Sequence, residues 1–251
     1  MKRLMKLEFD KLKYPVIIMI VLSSVVASLL TCTIYQSWST TCKIDSWEIG
    51  TELFDFIFPI IVVVPLSWSL FVERKNNYIL YAFARVSARK YLLSKWIVQA
   101  ICAFLILFVP NILSAISALI VTTPTEPSAS HMAHVFQATY ETAPLLYAFV
   151  LSLWKGFIGI LIMSMGFVLS MYINNIFIIM TAPFVYYILE NVALSVLYVP
   201  SYRLTTAYRP VSVSCHAITA LSFIVGPMLL ILFTLGIGLV ESQIKKKRVG
   251  W

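Results

Sequence analysis

Residues 73–95 read ERKNNYILYAFARVSARKYLLSK. They form the one long charged segment that lies between two strongly hydrophobic runs, at about 53–72 and 96–121. Glu73, Arg74, Lys75, Arg85, Arg89, Lys90 and Lys95 surround an apolar and aromatic centre, Tyr78-Ile79-Leu80-Tyr81-Ala82-Phe83. Each flanking run is close to the roughly 20 residues that cross about 30 Å of hydrocarbon. A charged segment with an apolar heart, set between two spans, is therefore the unit from which the chain is read.

Outward from it, four more runs of similar length appear, giving six at about 15–36, 53–72, 96–121, 146–172, 176–198 and 217–240. The chain of 251 residues is 60% hydrophobic and only 12% charged. A soluble domain carries about 25% charged residues, so this chain cannot cover a water-facing surface. Lipid offers no partner to an unpaired backbone group, and nothing here alternates like a barrel strand, so the spans are helices. The fold class expected is an all-α polytopic membrane protein. Residues 1–251 make one transmembrane domain, and no cleavable signal peptide is evident. Ahead of the first span, residues 2–13 (KRLMKLEFDKLK) form a basic amphipathic helix with Met5, Phe9 and Leu12 on one face. Such a helix lies at the membrane surface and is drawn to anionic lipid.

Counting Lys and Arg sets the orientation. With the N-terminus inside, one side collects Lys2, Arg3, Lys6, Lys11 and Lys13, the six basic residues of the 73–95 segment, and Lys245, Lys246, Lys247 and Arg248, which is 15 of the 19. Lys43, Arg203 and Arg209 fall outside and Lys155 within a span. Asp45, Glu48, Glu126 and Glu141 lie outside, with Glu52 and Asp55 at the outer edge of the second span. Six spans with both termini cytoplasmic satisfy this pattern in a plasma-membrane, multi-pass protein. The net charge of +8 then belongs to topology, and nucleic acid is not an expected partner.

The outer segments are short. Residues 37–52 carry Trp38 and Trp47, read as interfacial anchors. Residues 122–145 include HMAHVFQATYETA, a candidate short helix, and Pro200 and Pro210 oppose a continuous helix in 199–216. Ile173-Asn174-Asn175 leaves room only for a tight turn. Pro59, Pro65, Pro110, Pro183 and Pro227 recur within spans, and Gly156, Gly159, Gly236 and Gly238 permit close helix contact.

Catalytic signatures are missing. There is no HExxH, no GxSxG and no Walker A pattern, so the chain is not itself a P-loop ATPase and no cofactor is expected in it. His131 and His134 share a helix face, but they have no evident third ligand for a metal. Cys42 and Cys215 both fall outside; a disulfide between them and two separate thiols stay open. Within the spans, Lys155 and Glu190 stand out, each roughly 12–14 Å deep at 1.5 Å per residue. Either they line a substrate route or they pair across the adjacent fourth and fifth helices and fix packing.

The 73–95 segment is the strongest feature. An apolar patch rimmed by charge marks a protein contact, with an interfacial helix on lipid as the plainer alternative. Glu73, the short helix around Tyr78–Phe83, Arg85-Val86-Ser87-Ala88-Arg89, Tyr91 and Lys95 together resemble the segment between the second and third spans of type-2 ABC transporter permeases. Asn76-Asn77 stands where that family usually has Gly-Thr. The layout of elbow helix, six spans and broken last outer segment is similar to the same family. General appearance is similar to permeases of antimicrobial-peptide immunity and bacitracin-resistance exporters of Gram-positive bacteria.

The resemblance implies a permease without catalytic residues. It would work with a cytosolic ABC ATPase subunit that holds ATP and Mg, and with a second permease copy or paralogue, embedded in membrane lipid. Tyr78, Leu80, Tyr81 and Phe83 would pack into the partner ATPase, and Glu73, Arg85 and Arg89 would set register by ion pairs. The expected function is ATP-driven export of an amphipathic peptide antibiotic or a lipid-like molecule. An intramembrane enzyme, or an ATP-independent sensor or interaction protein, are the alternatives from other classes.

Overall fold

The computed structural model describes residues 2–34, 42–123, 135–213 and 217–249. In chain order the helices are α1 (Lys2–Ile34), α2 (Asp45–Gly50), α3 (Glu52–Lys75), α4 (Tyr78–Arg85), α5 (Ala88–Val121), α6 (Gln137–Thr142), α7 (Pro144–Tyr172), α8 (Ile176–Val196), α9 (Leu204–Tyr208) and α10 (Ala220–Val249). Six of them, α1, α3, α5, α7, α8 and α10, are long and apolar enough to cross a membrane. The expected all-α bundle of six spans is present.

Local chemistry explains the boundaries. Asn77 sits in the left-handed region at φ 58° between α3 and α4, a conformation that asparagine accepts more readily than most residues. It does there what a glycine would do. Val86 is extended and ends α4, so α5 starts at Ala88, eight residues before the expected span. The "loop" 73–95 is therefore the end of α3, the short α4 and the first two turns of α5. Asn175 caps α8 by accepting from Phe177 N at 2.9 Å, which closes the expected tight turn after α7. Pro200 and Pro210 each open a 3₁₀ turn on either side of α9, so the last outer segment is broken, as the prolines require. The candidate helix in 122–145 is α6, although His131 and His134 fall outside the described residues.

Residues 2–13 run into the first span as one helix through Pro15. The face of this stretch turned to the bundle carries Met5, Glu8 and Leu12, while Phe9 is exposed. The expected stripe therefore shifts by one residue and brings a carboxylate inward.

α1 lies along α5, α5 along α7, and α3 packs on α7 and α8. Phe58, Val62, Leu66, Leu70, Ile106 and Ile162, all from central helices, form the heart of the main core. Gly156 and Gly159 admit this contact: a Cβ on either would come within 2.7 Å of the Phe104 or Leu107 side chain. Gly236 and Gly238 play no such part, since Gly236 faces open space and Gly238 only reaches Val168 at 3.8 Å. A second core gathers Ile44, Trp47, Ala118, Tyr140 and Tyr147 at the far end of the bundle. Large apolar side chains on α1 (Ile17, Ile18, Val21, Leu29), α8 (Phe177, Leu189, Val196) and α10 (Leu232, Leu239) remain exposed. This is the surface expected of helices that face hydrocarbon.

Candidate functional site

The end of α3, all of α4 and the start of α5 meet α1 at one end of the bundle. Glu73 in the last turn of α3 accepts from Lys95 at 2.6 Å, from the Tyr91 hydroxyl at 2.7 Å and from Lys11 at 3.0 Å. Glu8 of α1 accepts from the same two lysines, at 2.9 Å each. Two carboxylates and two ammonium groups thus balance. Lys95 is fully buried and Glu8 is 4% exposed. A lysine so buried is tolerated only when paired and hydrogen-bonded, and these charge-assisted bonds are the short, strong kind. Glu73, Tyr91 and Lys95 carried the family resemblance in the sequence, and the fold brings all three onto one point. Glu8 and Lys11 were not singled out. Their signal was an acid on the inward face of a helix otherwise read as basic.

The cluster holds α4 along one edge. Lys11 lies over the Tyr78 ring at 5.4 Å, and Phe83 meets Tyr91 edge to face with ring centres 6.0 Å apart. Ile79 packs against the main core. Phe83 is half-buried against the bundle, and Glu73 takes part in intramolecular pairs. Tyr81 is 73% exposed, and Arg85 and Arg89 are exposed as well. The side chain of Leu80 lies outside the described residues. Arg74 reaches across to the α7–α8 turn, donating to Asn174 Oδ1 at 3.0 Å and to the Ile173 carbonyl. The basic end thereby joins α1, α3, α5 and the α7–α8 turn.

Lys155 and Glu190 do not meet. Lys155 donates to Asp55 Oδ2 at 2.7 Å and Asn111 Oδ1 at 3.2 Å, and sits 5.1 Å from the centres of the Trp47 and Tyr208 rings. Asp55 is 3% exposed and Trp47 1%. Asp55 stands in the first turn of α3, at the expected edge of the second span, and is buried there; Trp47, expected as an interfacial anchor, is buried in the second core. Glu190 accepts the Leu204 N–H with both carboxylate oxygens, at 2.9 and 3.1 Å, and so caps the start of α9. It is also the one charged residue among those lining an apolar cavity of about 710 Å³ between α8 and α10, with Tyr186, Leu189, Leu232 and Phe233.

At this far end, Tyr147 donates to Glu48 at 2.7 Å and Tyr140 to Asp45. Burial, and then the adjacent Asp45 carboxylate, hold the Tyr140 phenol far above its ordinary pKa. Cys42 is a free thiol, while Cys215 lies outside the described residues, and so does the disulfide considered for the pair. Among the described residues no group of three His, Cys, Asp or Glu is placed to hold a metal.

Among the described residues, six spans form a bundle with the short helix α4 between the second and third. A family model described as ABC-2 family transporter protein matches residues 4–181, and the chain belongs to that family. Members are non-catalytic permease subunits that work with a nucleotide-binding subunit, often as dimers. No curated protein and no solved structure matches the chain.

Proposed function

We propose that residues 1–251 form the permease domain of an ABC exporter and that α4 is its coupling helix. The observation that carries the reading is the divided surface of α4. One edge is fastened to α1 and α5 through the half-buried Phe83 and the Glu8–Lys11–Glu73–Lys95 cluster, with Lys11 over the Tyr78 ring, while Tyr78, Tyr81 and Arg85 are exposed. A partner ATPase that grips the outer edge moves a helix with little freedom to slip. Closure of the ATPase on ATP and Mg would then shift α3 and α5 together and bias the bundle between inward and outward states. Arg85 and Arg89 set the register against acidic groups of the partner. Glu73 acts from within by holding α4 to the spans.

Charge counting supports placing this basic end, both termini and residues 2–13 on the cytoplasmic side of the plasma membrane. The cargo in this reading is an amphipathic peptide or lipid-like molecule. The apolar cavity between α8 and α10 supports it, offering Glu190 as a single charge on an otherwise greasy wall. Two permease copies, or one with a paralogue, complete the assembly.

The test is co-purification with the ATPase subunit. Tyr81→Asp combined with Arg85→Glu alters only exposed groups, so the permease should reach the membrane at normal levels but lose its ATPase. Unchanged assembly would show that α4 is not the coupling element.

A further inference from the structure

Glu8, Asp10 and Glu73, the acids of α1 and of the end of α3, are each held by a lysine. Glu8 and Glu73 share Lys11 and Lys95, and Asp10 lies 3.9 Å from Lys13. Lys2, Arg3 and Lys6 on α1 and Lys90 on α5 are exposed, and none of the four forms an ion pair among the described residues. The two helices run parallel. Glu8 meets Lys95 near their starts, and beyond the end of α1 Lys43 donates to the Leu119 carbonyl near the end of α5. The first pair sets an offset of 87 residues, so Lys2 and Arg3 stand level with Arg89 and Lys90, and Lys6 with Leu93. At 3.6 residues per turn, Lys2, Arg3 and Lys6 point more than a right angle away from the inward Glu8, and Lys90 does the same relative to Lys95. The four free cations therefore form one layer on the outside of the α1–α5 pair.

α1 has 33 residues and α5 has 34. At 1.5 Å per residue each is about 50 Å long, against about 40–45 Å for a bilayer with its headgroups. The last turns of both helices carry no charge, so the surplus length falls at the charged starts. Those starts thus stand at the surface of the headgroup layer. Deeper along each helix the exposed side chains become apolar or aromatic, with Leu7, Phe9 and Tyr14 on α1 and Leu93 on α5. The change from cation to apolar group comes at the same level on both helices.

We propose that Lys2, Arg3, Lys6 and Lys90 hold the headgroup of an anionic phospholipid on the outside of the α1–α5 pair. The phosphate accepts from the ammonium and guanidinium groups, as charge-assisted bonds favour. The acyl chains run down past Leu7 and Leu93. A zwitterionic headgroup brings a cation of its own into this layer and is repelled by the four already there. The stripe expected to meet lipid, Met5, Phe9 and Leu12, contributes only Phe9, because Met5 and Leu12 pack on the bundle. The site uses neither Tyr81 nor Arg85, so it stands or falls apart from the coupling role of α4.

The purified full chain in a neutral detergent would be titrated with phosphatidylglycerol, phosphatidylcholine and phosphatidylethanolamine, reading bound lipid by native mass spectrometry. Phosphatidylglycerol should bind about tenfold more tightly than the other two, the pull of one or two cations on an anionic headgroup. The triple variant Lys2→Gln, Arg3→Gln, Lys6→Gln should erase that preference. It should leave the lipid-free melting temperature unchanged, because these side chains are exposed. Lys2→Arg with Lys6→Arg should keep the preference, and so should Lys43→Gln at the other end of the bundle. Equal binding of the three lipids, or a preference that survives the triple variant, overturns the proposal. An equal loss in Lys43→Gln overturns it too, since the attraction would then be one of net charge and not of this layer. If chain-free glycerophosphoglycerol binds as tightly as the lipid, the ligand is a soluble phosphate and the lipid assignment falls.

Discussion

Lys95 is the residue on which the basic end turns. It is fully buried between Glu8 and Glu73, so Lys95→Met leaves the two carboxylates with Lys11 as their shared cation. The expected loss is about 3 kcal/mol, the lower end of the usual cost of breaking a buried pair. Thermal unfolding in detergent measures it, and adding Glu8→Gln should recover part of it. Lys155 allows a sharper test of pairing. Lys155→Met should be destabilising by a similar roughly 3–5 kcal/mol, and Asp55→Asn, not Glu190→Gln, should partly restore the melting temperature. Rescue by Glu190→Gln alone would mean that the observed pairing is wrong. The sequence pointed to Lys155 and Glu190 as depth anomalies because a charge in an apolar run is visible in one dimension. Their partners were hidden, since Asp55 looked like an edge residue and the Leu204 N–H carries no sequence signal.

At the level of elements, one turn and one close helix contact hold the design. Asn77 has φ 58°, where a β-branched side chain clashes. Asn77→Val should cost about 1–2 kcal/mol and loosen the α3–α4 junction, whereas Asn77→Gly should be close to neutral, as melting temperatures would show. In α10, a Cβ on Gly226 would come within 2.7 Å of the Leu204 backbone. Gly226→Leu should therefore part α9 from α10 and lower the melting temperature, while Gly236, with nothing within 4 Å, should accept Leu without loss. Both glycines lie in the same apolar run of the sequence. Only the facing backbone of α9 distinguishes them.

For the whole molecule, the proposed orientation puts the end where the basic residues collect on the cytoplasmic side. With native cysteines replaced, single cysteines at Lys75 and Arg89 should be shielded from a membrane-impermeant thiol reagent added to intact cells. Cysteines at Lys43 and Glu141 should be labelled. The reverse pattern would invert the bundle and remove α4 from reach of any cytosolic ATPase.

Six helices, their rough limits, the tight turn at 173–175 and the broken outer segment at 199–216 could all be derived from run length, charge count and proline position. These are properties that act along the chain and need no knowledge of neighbours. Tertiary structure alone decided which face of residues 2–13 turns inward, that Trp47 and Asp55 are interior, and that Lys155 finds its partner 100 residues away. Nearly every side of a membrane span is apolar, so hydropathy does not say which side faces lipid and which faces protein. That choice is made by long-range pairing of the few polar groups, which lipid cannot satisfy.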